Sequence, residues 1–346
     1  MHGMAAVNQA ILVRLEAEGW TVTKINTAPS TLSRAILARL SRLPLVLKAW
    51  WALLNPPHDG ENKKGVVYLA LAAGWGQFYD LITVCLSRVR GARVVIHHHS
   101  YRYLNKKYRL TRLVIRIAGR GAGHVVLCSS MREALKNCYQ AKNAMILSNQ
   151  AMFPTRAVAV QHPKLQTIGF LSNITYEKGG DIVIALAEAI RDRGWPIKLI
   201  VAGPCEDEIL SSALMAAQAE GVLQWIGAVY GIEKERFWVG IDAFVFPTRN
   251  EAEPLVVWEA LATGVPVIAY NQGCIREQVA DAGVIIPVNE DFVAKVLPIL
   301  SSWLQDESCY HAASDAARQR YINIRRQCEV DWNALKSLLE GEGIAG

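Results

Sequence analysis

The chain has 346 residues, 51% of them apolar, and a net charge of +6. That is about twice the length of an ordinary domain with enough apolar residues for two packed cores, which excludes a disordered chain. Residues 1–150 carry 21 Lys/Arg against 6 Asp/Glu and the remainder 16 against 25, so a basic half precedes an acidic one and the basic half favours an anionic partner: a membrane surface, a lipid phosphate or nucleic acid.

From the start, AAVNQAILVRLEAEG places Val7, Ile11 and Leu15 at helical spacing and stops at Gly19, and WTVTKIN alternates as a strand. A helix therefore comes first, and a doubly wound sheet with this beginning lacks its first strand or has a truncated start. The stretch 65–77 reads as a buried strand entering a glycine turn, and ARVVIHHHS, 92–100, as a second strand with a polar end. Segments 33–54 and 101–120 mix Arg/Lys with Trp, Tyr and Leu at helical spacing. Such helices pack on a sheet with basic outer faces or rest on an anionic membrane. GRGAGH, 119–124, follows a basic helix and not a strand, so it is no dinucleotide loop.

A second cycle starts near residue 164, with strands in LQTIGFL, PIKLIVAGP, LQWIGAV, DAFVFPT and VPVIAY separated by helix-length segments. Alternation of this kind implies parallel sheets and hence two α/β domains, over 1–155 and 160–319. The boundary falls in the proline-containing stretch 152–164, and the terminal helix, 320–346 with Trp332, is free to return to the first domain. The seven cysteines are scattered, without a C-x-x-C pair or metal spacing, and read as reduced thiols. No signal peptide or membrane-length apolar run is legible, which points to a cytoplasmic protein, with peripheral attachment to the cytoplasmic face of a membrane as the variant the basic half allows.

The strongest chemical signal is FPTRNEAEPLVVWEALATGVPVIAY, 246–270: a strand, a polar loop, a helix opening at Pro254, a stop at Gly264 and another strand. Glu251 and Glu259 are eight positions apart. The helix start offers free N–H groups near Glu253, Leu255 and Val256 to an anion or hydroxyl. Glu259 has mainly apolar helix neighbours, so its carboxylate needs donors, which a ribose diol supplies; otherwise it is a solvated surface glutamate. A second signal is IGFLSNITYEKGGDIVIALAEAI, 168–190, where a strand turns through Asn173 into a helix led by Lys178 and Gly179. Glycines at a helix start let backbone approach phosphate closely, and a lysine beside them adds a point charge.

Together these segments resemble the donor-site motifs of family-four retaining glycosyltransferases. The resemblance implies the glycosyltransferase-B fold, two facing Rossmann-like domains with the acceptor side N-terminal and the nucleotide-sugar side C-terminal. It assigns Glu251 to the donor sugar, the backbone of Glu253, Pro254, Leu255 and Val256 to sugar hydroxyls and phosphate, Glu259 to the ribose, and Lys178 with Gly179 and Asn173 to the diphosphate. Where the family has an arginine after the first strand of this domain, this chain has Phe170; Arg249 is the candidate substitute. Weaker matches are Gly203 in IVAGP, Gly227 in WIGAV by the nucleobase, Gly3 in the opening HGMAAVN, and VVLCSS at 125–130.

His97 and His99 share one face of their strand and His98 the other. By the resemblance His99 faces the donor sugar; the alternatives are a purely structural role or a zinc site, the latter without acidic or cysteine partners at ligand spacing. The implied reaction is retaining transfer of a hexosyl group from a nucleoside diphosphate sugar to a glycan or lipid-linked acceptor, without metal or cofactor and without nucleic acid, in cell-surface polysaccharide or glycolipid synthesis. A nucleotide-sugar epimerase of the same fold and an inactive homologue acting as an assembly partner are the rival readings. A nucleic-acid-binding protein would explain the basic half, yet no RNA-binding aromatic motif or helix-turn-helix is present.

Overall fold

A computed structural model describes residues 3–25, 43–55, 65–153, 155 and 163–341. The chain divides into two compact units, one of residues 1–148 and 330–346, the other of residues 149–329.

The first unit opens with helix α1, Gly3–Ala17, whose Val7, Ile11 and Leu15 are buried as their spacing predicts. Helix α2 (Leu43–Leu54) leads to strand β1 (Val66–Leu71), α3 (Gly76–Val89), β2 (Arg93–His98), α4 (Arg109–Ala118), β3 (Gly123–Val126), α5 (Ser129–Tyr139) and β4 (Ala144–Ile146). The strands form a parallel sheet in the order β1-β2-β3-β4, with the β-branched run Val94, Val95 and Ile96 buried in it, as a strand covered on both faces requires. Residues 20–25 are not a strand, against the alternation of their side chains: they are largely exposed and join no ladder, and alternation without a pairing neighbour leaves backbone groups to water. Of the segment predicted helical over 101–120, only α4 is helix; residues 101–106 form turns and bends, and Tyr108 is extended. Residues 33–42, most of the linker 152–164 and the last five residues lie outside the described residues.

The second unit runs through a short 3-10 turn (Asn149–Ala151), β5 (Thr167–Leu171), α6 (Gly180–Asp192), β6 (Lys198–Ala202), α7 (Glu208–Ala219), β7 (Gln224–Trp225), α8 (Gly231–Val239), β8 (Ala243–Phe246), α9 (Leu255–Ala262), β9 (Val267–Tyr270), α10 (Ile275–Val279), β10 (Gly283–Ile286) and α11 (Phe292–Gln305). Its six parallel strands take the order β10-β9-β8-β5-β6-β7. Phe170, Phe244 and Phe246 line one continuous apolar core with Trp238, Trp258 and Leu261, each such side chain stabilising the fold by roughly 1.5–3 kcal/mol on burial.

The last helix, α12, covers Glu307–Glu340. Its end belongs to the first unit, where Trp332 Nε1 donates to Glu18 Oε1 at 2.7 Å and the Arg14 guanidinium lies 4.3 Å from the indole centre. Lys336 completes this small knot with an ion pair to Glu18 Oε2 at 2.8 Å. Cys85, Cys138, Cys205, Cys309 and Cys328 are free thiols. Cys128 and Cys274 are not, a departure from reduced thiols throughout that spacing along the chain does not encode.

Candidate functional site

In the second sheet the chain lays down β5, β6 and β7 in one direction, then crosses back to place β8 on the opposite flank of β5. A reversal of this kind opens a crevice beyond the carboxyl ends of the two central strands, where ligands of open parallel sheets bind. Those ends are Leu171 and Phe246, and the strongest sequence-predicted residues of this unit follow one or the other.

Beyond β5, exposed Asn173 leads to Lys178 and Gly179 ahead of α6. Gly179 caps that helix with φ +81°, and a Cβ on it would stand 2.4 Å from the Pro247 carbonyl oxygen of the loop after β8. Only glycine tolerates both demands, so this residue is what lets the two loops touch. One side-chain link between them is Lys178 Nζ, which donates to Glu251 Oε1 at 2.5 Å and to the Asn250 carbonyl at 2.7 Å. The two side chains are 23% and 25% exposed, so the pair is reachable and its net contribution to stability is only on the order of 1 kcal/mol.

Arg249 is not part of that pair. Its guanidinium grips both oxygens of Asp181, in the first turn of α6, at 3.0 Å each, and also donates to the Tyr176 carbonyl. Asp181 there also answers the positive end of α6. Phe170 is fully enclosed against Phe246, ring centres 6.5 Å apart. The position at which the resembled family has an arginine is therefore a core position here, and Lys178 and Arg249 are the cations of the two loops.

Helix α9 begins one residue later than its proline suggests: Pro254 is the extended N-cap and Leu255 the first helical residue. The N–H groups of Leu255 and Val256 fall in the first turn, which has no preceding turn of carbonyls to receive them. The Glu253 side chain is buried and structural, its Oε2 accepting from the Asn149 N–H at 2.7 Å and its Oε1 from Trp258 Nε1 at 3.1 Å. Its backbone carbonyl accepts from Asn149 Nδ2 at 3.1 Å. Glu259, on α9, is neither solvated nor unpartnered: Oε1 accepts from Lys234 Nζ at 2.7 Å and Oε2 from Trp238 Nε1 at 3.2 Å, both donors on α8. No pattern in the sequence links residues 234 and 238 to 259, so those partners were not foreseen.

Gly203, after β6, has φ +129°, and a Cβ there would overlap the Ser172 carbonyl oxygen; its N–H donates to the Gly227 carbonyl at 2.6 Å. Gly227 has φ +71° and open space where a Cβ would be. A cavity of about 350 Å³ lies on another side of α8, lined by Ile200, Ile226, Val229, Glu233, Phe237 and neighbours, and contains none of the predicted site residues.

In the first unit, Gly3 is the first residue of α1, and His99 directly follows β2. The His97 and His99 rings lie 3.8 Å apart, His97 Nδ1 hydrogen-bonds the Tyr68 hydroxyl, and His98 Nε2 shares a proton with His124 Nδ1 at 3.1 Å. The shared face of His97 and His99 follows from strand periodicity; His124 came from the neighbouring strand without warning. Burial holds His97 and His98 well below the ordinary imidazole range and lowers His99 and His124 to about 4, so all four are neutral at pH 7. Among the described residues no group of three His, Cys, Asp or Glu is arranged to hold a metal ion.

Comparison with known proteins agrees with this geometry. Residues 152–320 match the family described as glycosyl transferases group 1. A GDP-mannose-dependent alpha-mannosyltransferase of Mycobacterium tuberculosis is 32% identical over 125 residues, 36% of this chain and 30% of that protein. The alpha-monoglucosyldiacylglycerol synthase of Streptococcus pneumoniae is 26% identical over 191 residues, 52% of this chain and 43% of the relative. The chain thus spans less than half the length of these relatives. Among solved structures, Anabaena Alr3699/HepE in complex with UDP and glucose superposes with a TM-score of 0.63 at 16% identity, covering 95% of both chains. TarM gives 0.65 at 15% identity, over 86% of this chain and 58% of the other. The protein has the glycosyltransferase-B fold, α/β with two parallel sheets, and the stretch similar to group 1 glycosyl transferases lies over residues 152–320. That segment holds both glutamates, Lys178 and the two helix starts.

Proposed function

We propose that this chain is a glycosyltransferase that moves a hexosyl group from a nucleoside diphosphate sugar to a hydroxyl of a glycan or lipid-linked acceptor, with retention, in cell-surface polysaccharide or glycolipid synthesis. The observation that carries this reading is the Lys178–Glu251 pair at the strand-order reversal, set between the N-termini of α6 and α9. The diphosphate takes the place beside Lys178 and the helix starts, whose N–H groups and dipoles offset charge developing on the leaving group. Glu251, once released from Lys178, turns to the donor sugar, and Glu259 takes the ribose. Gly203 and Gly227 serve the base, and Asn173 and Arg249 border the phosphates. The reading needs neither metal nor cofactor, because protein cations and amides supply the counter-charge. Lys178→Ala and Glu251→Ala are each expected to lower transfer by at least about a hundredfold while melting within a few degrees of the parent. Parent-like turnover in either variant would remove that residue from the mechanism, and sugar isomerisation without acceptor would favour an epimerase.

The basic unit suggests where acceptors are met, on the cytoplasmic side of a membrane. Leu47, Trp51 and Leu54 on α2 and Phe78, Ile82 and Val89 on α3 are exposed, and the two helices are joined through Trp50 Nε1 and Thr83 Oγ1 at 3.0 Å. Arg109, Arg112 and Arg116 line the exposed side of α4. Apolar side chains beside arginines suit the interface of an anionic bilayer. No helix among the described residues is long and apolar enough to cross one. Sedimentation with phosphatidylglycerol vesicles, but not with phosphatidylcholine vesicles, is the expected result, and equal recovery in both supernatants would remove the membrane from the account.

A further inference from the structure

We propose that Lys234 is a positioning residue for ribose recognition, holding Glu259 so that its two carboxylate oxygens meet the two hydroxyls of a nucleotide ribose; this rests on the reading that Glu259 takes the ribose. Lys234 and Trp238 are one helical turn apart on α8 and present their donors side by side. Each gives one hydrogen bond, Lys234 to Oε1 at 2.7 Å and Trp238 to Oε2 at 3.2 Å. A carboxylate oxygen has two lone-pair directions, so this arrangement occupies one on each oxygen and leaves one on each. Two free acceptor positions on adjacent oxygens match a vicinal diol, which donates two hydrogens side by side.

The two donors divide the task. Trp238 is buried, with its ring edge-on to Phe237 and Phe244 at 5.0 and 5.1 Å, and fixes its oxygen through a rigid indole. Lys234 is 32% exposed and Glu259 18%, so the ion pair sits where a ligand reaches it. The lysine also stands near the start of α8, the end of a helix where a cation is disfavoured. Its pairing with Glu259 offsets that cost and ties α8 to α9, which begins at the crevice.

The test is a cycle between the protein and the ribose hydroxyls. Binding of uridine, guanosine and adenosine diphosphates is measured by calorimetry, and the nucleotide that binds is compared with its 2′,3′-dideoxy form in the parent and in Lys234→Met, Lys234→Arg and Glu259→Gln. The expected result is a loss of about tenfold for the ribonucleotide in Lys234→Met, a change under about twofold for the dideoxy form, and recovery to within about threefold in Lys234→Arg. A loss of equal size for both ligands marks Lys234 as a structural residue and overturns the proposal, as does the absence of any loss. If Glu259→Gln discriminates between the two ligands while Lys234→Met does not, the role of Lys234 alone fails. If Glu259→Gln binds both forms as the parent does, or none of the three diphosphates binds, the ribose reading fails with it.

Discussion

Placing arginine at position 170, where the similar family has one, is expected to unfold this protein and not to improve it. Phe170 has no exposed surface and packs against Phe246 in the core of the second unit. Its removal forfeits roughly 2–3 kcal/mol of burial, and a guanidinium left in its place without a partner adds several more. A total near 5 kcal/mol or above equals much of the 5–15 kcal/mol that holds an ordinary domain together. Phe170→Leu, which keeps the site apolar, is expected to cost on the order of 1–2 kcal/mol. Urea unfolding followed by far-ultraviolet circular dichroism measures both variants against the parent. A Phe170→Arg protein that unfolds at the parent's midpoint and turns over faster would show that side chain 170 reaches the crevice, and the placement of Lys178 as its cation would be wrong.

Gly179→Ala is expected to lose more stability than Gly194→Ala. Both glycines have positive φ, +81° and +62°, and a left-handed residue costs about 1–2 kcal/mol in each; only at Gly179 does the new Cβ meet a backbone oxygen, at 2.4 Å, while nothing lies within 4 Å at Gly194. Equal urea midpoints for the two variants would contradict that contact. Acid is expected to weaken the first unit through its histidines. His99 and His124 are depressed to about 4 in the folded chain, so between there and about 6.5 the unfolded chain binds the extra protons and stability falls as pH falls. Each imidazole then accounts for about 2 kcal/mol between pH 8 and pH 5, and denaturation midpoints that agree at those two values would show the imidazoles to be solvated.

The sequence carried the alternation of strands and helices in most of the second unit, because strands such as Ala243–Phe246 and Val267–Tyr270 are short β-branched or aromatic runs, but it missed the edge strand Gly283–Ile286. It failed at residues 20–25, where alternation survives without a strand to pair with. At the site, the close approach at Gly179 was legible because glycine and helix-start chemistry are local, whereas Glu251 came from the resemblance. The partners of Glu259 and Arg249 were not legible: Lys234, Trp238 and Asp181 come from other helices, and their approach is set by packing over dozens of intervening residues. The buried tie of the Glu253 side chain to Asn149 and Trp258 was not legible either, because both partners are fixed by packing.

The central claim is that a nucleoside diphosphate binds beyond β5 and β8, and a crystal of the protein soaked with the diphosphate that binds most tightly tests it directly. The account predicts phosphate oxygens within hydrogen-bonding distance of Lys178 Nζ and of N–H groups at the starts of α6 and α9, with Lys178 parted from Glu251. A diphosphate bound elsewhere while that ion pair stays closed would contradict it.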